Sequence, residues 1–222
     1  MPRIARVVVP GIPHHITQRG NRRQRVFFRE SDYRAYKTVL ARYCKQEEVD
    51  IWAYCLMPNH VHLILVPRTK YGLRRSLAET HRRYSHVINT REGWTGYLWQ
   101  GRFESYPMDE THLYRAVRYV ELNPVEAGIC QRPEEWPWSS TRAHLNNRTD
   151  GLVEPEPMLK REPDWRSYLA TGMTREENDL IELHGRTGRP LGSRSFVEDL
   201  EVALGRRLLP RKPGPKPADD SA

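Results

Sequence analysis

Cysteine is scarce. Cys44, Cys55 and Cys130 are the only three in 222 residues, and their odd number and wide spacing match neither a disulfide framework nor a C-x-x-C zinc knuckle. Buried thiols are expected instead. Long apolar runs are missing as well. The longest predominantly apolar stretch, Val61 to Val66, falls far short of the roughly 20 residues a membrane span needs. The leading MPRIARVVVPGIPHH contains no apolar core of the signal-peptide kind. These absences predict a cytoplasmic protein with no membrane partner.

Charge is what the chain has in quantity. Lys and Arg number 36 against 28 Asp and Glu, and 38% of residues are hydrophobic. A chain of this length buries on the order of 70% of its unfolded surface, enough to hold a fold without disulfides. The positive charge is local: residues 1–45 carry eleven basic side chains and two acidic ones. Residues 66–106 carry eight against three, whereas residues 107–200 carry twelve against seventeen. A basic patch of this kind suits a polyanion, most simply nucleic acid, because phosphate neutralisation releases counterions. A merely solvated basic face is the alternative. The interleaving of Arg with aromatic side chains in QRGNRRQRVFF, Gln18 to Phe28, favours a partner with unpaired bases on which rings can stack.

Periodicity gives the order of elements. Ile12 to Arg19 reads as a strand ending at the Gly20-Asn21 turn signal, and Ser31 as the N-cap of a helix reaching about Glu48. Ile51–Met57 and His60–Val66 read as two strands joined by a tight turn at Pro58-Asn59, both central enough to be covered on at least one face. A second helix spans about residue 71 to Asn89, Tyr97–Pro107 reads as a strand, and a third helix runs from Asp109 or Thr111 to Asn123, where Pro124 should end it. Strand, helix, strand, strand, helix, strand is the split βαβ pattern. The fold class expected is therefore α+β: a ferredoxin-like antiparallel sheet with helices on one face, an added helix, and a C-terminal extension. The domain expected to carry function spans 1–146. Residues 147–209 read as an irregular extension with short helices, including one at Ser195–Leu204 and a Pro/Glu-rich linker up to Pro163, and 210–222 as a disordered basic tail.

Two features carry possible chemistry. On a strand, His60 and His62 point to one face and Val61 to the other, so two imidazoles stand side by side as half of a metal site. A His-x-His pair alone is weak evidence, since most such pairs are surface or core residues. On the third helix Tyr119 and Asn123 are four apart and share a face. Tyr119 lies beside the apolar stripe, where a phenol either packs or reacts. Tyr114, on the far side, is the weaker candidate nucleophile.

HHITQRGN (His14 to Asn21), CLMPNHVHLIL around His60 and His62, GRFES (Gly101 to Ser105), YVELNPVEAG (Tyr119 to Gly128) and WPWSS (Trp136 to Ser140) occur in that order. Together they resemble the single-tyrosine HUH transposases and, more narrowly, the REP-associated tyrosine transposases. The resemblance covers about residues 8 to 146. GRPLGSRSFVEDL (Gly188 to Leu200) resembles tails of the same group less specifically, and Thr141 stands where family members often carry Tyr. The resemblance implies Tyr119 as nucleophile, His60, His62 and Asn123 as ligands of Mg²⁺ or Mn²⁺, and single-stranded DNA beside a repetitive extragenic palindromic hairpin as substrate. A 5′-phosphotyrosine intermediate retains the bond energy, so no nucleotide cofactor is expected. Candidate DNA contacts are Arg19, Arg22, Arg23 and Arg25 near the first strand, and Arg82, Arg83 and Arg102 beyond it. The protein could act as a monomer or a homodimer. Three rivals stand beside this expectation: a replication or conjugation initiator with the same site, a hairpin-DNA-binding protein that does not cleave, and a metalloenzyme unrelated to nucleic acid. The last leaves the basic patch unexplained.

Overall fold

The computed structural model describes residues 4–210, so the expected tail at 210–222 lies almost wholly outside the described residues. Four strands form one antiparallel sheet: β1 (His14–Arg19), β2 (Val49–Met57), β3 (His60–Pro67) and β4 (Glu104–Pro107), in the order β2-β3-β1-β4. This is the ferredoxin-like order that the split βαβ pattern predicts. Strand alternation divides the buried side chains into two cores. Ile16, Tyr54, Leu56, Val61, Leu63 and Leu65 face α1 (Glu30–Gln46) and α2 (Gly72–Glu92). Ala53, Cys55, Met57, Ile64 and Tyr106 face α3 (Glu110–Glu126), the added helix, which lies on the opposite face of the sheet.

Several local expectations shift. Helix α1 starts at Glu30, and Asp32 rather than Ser31 closes its first turn: the carboxylate accepts the backbone N–H groups of Phe28 (2.9 Å) and Arg29 (3.2 Å). Arg91 of α2 donates to the same carboxylate and ties the two helices. Strand β2 lies at the sheet edge, not inside. Its apolar sequence is accounted for by residues 138–140, which cover that edge through Leu56 N–H to Trp138 O (2.8 Å) and Ser140 N–H to Tyr54 O (2.9 Å). Of the strand expected over 97–107 only Glu104–Pro107 pairs continuously, because Gly101 at φ 63° breaks the extended run. Helix α3 continues through Pro124 to Glu126. A proline in the last turn forfeits one backbone donor, and the bonds Ala127 N–H to Asn123 O and Ile129 N–H to Pro124 O close the end beyond it.

Residues 147–209 carry helices of 4 to 13 residues after α4 (Thr141–Leu145): α5 (Glu156–Leu159), α6 (Trp165–Ala170), α7 (Arg175–Thr187) and α8 (Arg194–Leu204). The Pro/Glu-rich stretch read as a linker contains α5, with Val153 and Met158 fully buried. Met158, Trp165, Tyr168, Leu169 and Ile181 join the core beneath α3. Among the described residues no helix is long and apolar enough to cross a membrane.

Helix α3 is pinned by one buried carboxylate. Glu121 is completely buried and accepts hydrogen bonds from His144 Nδ1 (2.6 Å), Trp165 Nε1 (2.8 Å) and the Ser140 hydroxyl. Removing the acceptor strands three donors in a low-dielectric core. Glu121→Ala is therefore expected to cost about 3 kcal/mol, a fall of roughly 6–12 °C in Tm for a chain of this size. A Tm within 2 °C of the parent in a thermal melt would contradict that role.

Candidate active site

The site forms where β1 and β3 run side by side under α3. Their antiparallel register sets Thr17 opposite His62 and Arg19 opposite His60. His15, Thr17 and Arg19 thus share one face with His60 and His62, and that face looks toward α3. Tyr119 arrives from α3 with its ring centroid 5.4 Å from that of His62 and 6.0 Å from that of His15, edge-on to both. The hydrogen bonds of Asn123 reach both His60 and Tyr119. Of the four residues singled out from sequence for the chemistry, His62 and Tyr119 line one cavity, while His60 stands against His62 at 4.8 Å between ring centroids and Asn123 lies between His60 and Tyr119. Tyr114 is elsewhere: its hydroxyl donates to Arg161 O at 3.3 Å.

The imidazoles are orientated by their neighbours. His60 Nδ1 donates to Asn59 Oδ1 (2.6 Å), whose amide nitrogen donates to Arg23 O (3.2 Å), so the lone pair of His60 sits on Nε2. Tyr106 donates its hydroxyl hydrogen to Ile181 O in a longer contact of 3.4 Å. Its oxygen then accepts from His15 Nδ1 (2.8 Å), and His15 Nε2 accepts in turn from His62 Nδ1 (3.0 Å). The relay leaves His62 Nε2 with its lone pair outward, and that buried atom has no hydrogen-bond partner. An orphaned, preorientated imidazole nitrogen is what a metal ligand looks like before it binds. Among the described residues no group of three or more His, Cys, Asp or Glu side chains is placed to hold a metal. A ligand set here would be two imidazoles completed by the Asn123 amide.

Burial sets the protonation states. It lowers His15 and His60 to about 3, with the Arg19 charge adding to the effect at His60. His62 is likewise held well below the ordinary histidine value, by burial first and then by the neighbouring His60, His15 and Arg19. Burial raises the Tyr119 phenol; Glu182 adds to the rise, while Arg19 and the Asn123 hydrogen bond oppose it. Arg19 is the cation that bears on the imidazoles and the phenol together.

The predicted DNA-contact arginines separate into groups. Arg19 and Arg23 line a cavity of about 410 Å³ with His15, His62, Tyr119 and Glu182. Arg22 and Arg25 are exposed on the same 20–25 loop. That loop is held against the β2–β3 turn by Gly20 N–H to Asn59 O (2.8 Å) and Val26 N–H to Pro58 O (2.8 Å). Gly20 is required there: a Cβ would lie 2.3 Å from the Gln24 carbonyl. Arg82 and Arg102 line a separate cavity on the other face of the sheet. Arg83 turns away, its guanidinium 5.5 Å from the Tyr43 ring.

Sequence reasoning missed His15, Tyr106 and the contribution of α7. The HH doublet was a visible signal for His15, but its partner was fixed by strand register. Glu182 and Arg186 enter the pocket from α7, far along the chain, with no local pattern to announce them.

Because His15 and His60 are neutral in the fold at pH values where free histidine is charged, the unfolded chain binds more protons between about pH 6.5 and 3. Stability therefore falls as pH drops through that window, by about 1.4 kcal/mol per pH unit for each such imidazole. Urea midpoints measured from pH 7.5 to 5 should decline steadily below 6.5. A flat profile would refute the neutral assignment.

Comparison with known proteins gives the family. The family model described as IS200-like transposase matches residues 8–123. Over 118 residues the chain is 26% identical to a Haemophilus influenzae protein named as a REP-associated tyrosine transposase; the match takes in 47% of this chain and 66% of that one, just under two thirds of its length. In fold, the chain is similar to the solved structure of a REP-associated tyrosine transposase bound to a REP hairpin, with a TM-score of 0.57 and 22% identity over 69% of this chain and 88% of that one. The family pattern covers more than half of the chain and ends on Asn123, so it contains every residue of the pocket that comes from β1, β3, β4 and α3: the chain belongs to the IS200-like transposases.

Proposed function

We propose that the protein cleaves and rejoins single-stranded DNA beside a hairpin of the repetitive extragenic palindromic type, with Tyr119 as nucleophile. The observation that carries this reading is the meeting of Tyr119 with His60, His62 and Asn123, one of whose imidazole nitrogens is buried without a partner. The solved relative of similar fold is bound to a REP hairpin, which supports the choice of DNA.

The chemistry follows from the groups present. The Tyr119 phenol oxygen forms a bond to phosphorus as the bond from phosphorus to the 3′ oxygen breaks. The phenol's proton ends on the departing 3′ oxygen, leaving a 5′-phosphotyrosine and a free 3′-hydroxyl. Burial makes the phenol harder to ionise, so Arg19 and the Asn123 amide, which both oppose that rise, assist deprotonation. Arg19 and Arg23 line the same cavity and are placed to hold the phosphate next to the ring. The exposed Arg22 and Arg25 extend the positive field along the incoming strand. His60, His62 and Asn123 would hold a divalent ion, Mg²⁺ or Mn²⁺, which when bound neutralises phosphate charge and polarises phosphorus. Rejoining is the reverse displacement by a 3′-hydroxyl and uses no nucleotide cofactor.

Incubation with labelled single-stranded hairpin DNA from the flanks of its own gene and Mn²⁺ or Mg²⁺ should give a denaturation-resistant protein–DNA adduct that EDTA prevents. Tyr119→Phe should lower adduct formation by on the order of 10³-fold or more while leaving hairpin affinity within about threefold, since only the nucleophilic oxygen is lost. His62→Ala should behave similarly. An adduct that persists in Tyr119→Phe would overturn the assignment of the nucleophile. Tight binding without any adduct in the parent would make the protein a binding module.

A further inference from the structure

A cavity of about 680 Å³ opens on the face of the sheet opposite Tyr119, between α2 and residues 96–103. Two buried polar atoms in its lining residues have no hydrogen-bond partner: Gln18 Oε1 and Trp99 Nε1. Gln18 is 2% exposed and Trp99 7%. One is an acceptor and the other a donor. An unmade hydrogen bond on a buried group costs on the order of 1–3 kcal/mol, so two of opposite sense at one cavity call for a ligand that supplies both complements. The edge of a nucleobase carries a donor next to an acceptor.

The surroundings suit a base better than a free metabolite. The Trp99 ring lies 4.9 Å from that of His81, giving an aromatic wall, and Tyr97 at the mouth is 88% exposed, an open face for a neighbouring base. Arg74, Arg82 and Arg102 supply positive charge at the rim. Arg82 is partly neutralised by Glu79 at 2.7 Å, while Arg74 and Arg102 make no ion pair among the described residues.

The cavity is also joined to the candidate active site. Thr17 and Arg19 belong to the Tyr119 face, and Gln18 between them points through to the other. Strand β4 pairs with β1 only as far as Glu104 opposite Thr17. Beyond that point residues 98–100 return to the chain, through Gln100 N–H to Arg19 O (2.8 Å) and the bridge between Gly20 and Trp99, and a smaller cavity of about 300 Å³ occupies the gap between the two contacts. It shares Thr17, Arg19 and Glu104 with the pocket under Tyr119, and Gln18 and Arg102 with the large cavity. A single strand leaving Tyr119 can follow this gap and place one base on the far side.

We propose that the cavity lined by Gln18 and Trp99 is a reading pocket for one unpaired nucleobase of the bound DNA strand, distinct from the cleavage site and reached through the gap beside Gln18. The inference rests on the single-stranded-DNA reading above, and binding measured without cleavage separates the two. The probe is the hairpin oligonucleotide with its single-stranded flank, replaced by an abasic residue at one position at a time, and binding is followed by fluorescence anisotropy in EDTA. The parent protein is expected to lose tenfold or more in affinity at a single flank position. Gln18→Met, nearly isosteric, should weaken the intact strand by a similar factor, should not weaken that abasic strand further, and should leave Tm within about 2 °C, because loss of the long 3.4 Å bond from its amide nitrogen to Gly101 O is offset by removal of a buried unpaired carbonyl. Trp99→Phe, which keeps the ring and removes the N–H, should flatten the profile in the same way. A flat abasic profile in the parent, or a parent-like profile in both variants, would overturn the pocket. A single-position dependence in a protein that forms no adduct with Mn²⁺ would uphold the pocket and defeat the cleavage reading instead.

Discussion

The pairing of β1 with β3 is the constraint on which the rest depends. A shift of one residue would turn His15, Thr17 and Arg19 to the α1–α2 core and Gln18 to the Tyr119 face. The observed register, Thr17 opposite His62, is held by hydrophobic alternation on both faces: Ile16, Val61, Leu63 and Leu65 can be buried only against α1 and α2. The apolar pattern that builds the core thus also aims the imidazoles. The loop after β1, stapled to the β2–β3 turn, adds the arginines beside the same histidines without any further element.

Helix α3 completes the site from the other side, and its position is set remotely. Glu121 faces inward, two residues from Tyr119 and two from Asn123, and draws donors from Ser140, His144 and Trp165 onto the helix. The WPWSS segment that supplies Ser140 also caps the exposed edge of β2, so one short stretch of chain both protects the sheet and fixes the helix that carries Tyr119. The segments after residue 150 are part of this arrangement: α6 contributes Trp165 to the carboxylate, and α7 closes the cavity over Tyr119.

Burial gives the site its electrostatic character. It keeps the histidines neutral, the form in which an imidazole nitrogen can act as a ligand, and it resists ionisation of the phenol. Both effects keep the imidazoles and the phenol uncharged at neutral pH. Arg19, half-buried, is the protein's own contribution to that balance.

Much of this was legible in the sequence because it is local. The period-two runs around Pro58-Asn59 and the helical spacing of Leu113, Val117 and Val120 gave the elements, and the i, i+2 and i, i+4 spacings placed His60 with His62 and Tyr119 with Asn123. The errors were of the kind local pattern makes. Pro124 was read as a stop although its ring packs within a closed last turn, and apolar β2 was read as central although 138–140 cover its edge. What only the tertiary structure decided was which faces meet. The strand register that links His15 to His62, the opposite sides taken by Gln18 and Arg19, and the entry of Glu182 and Trp165 from the C-terminal helices all join residues distant in sequence. A linear chain states which side chains share a face. Which face they meet is settled by the burial of the whole apolar surface at once.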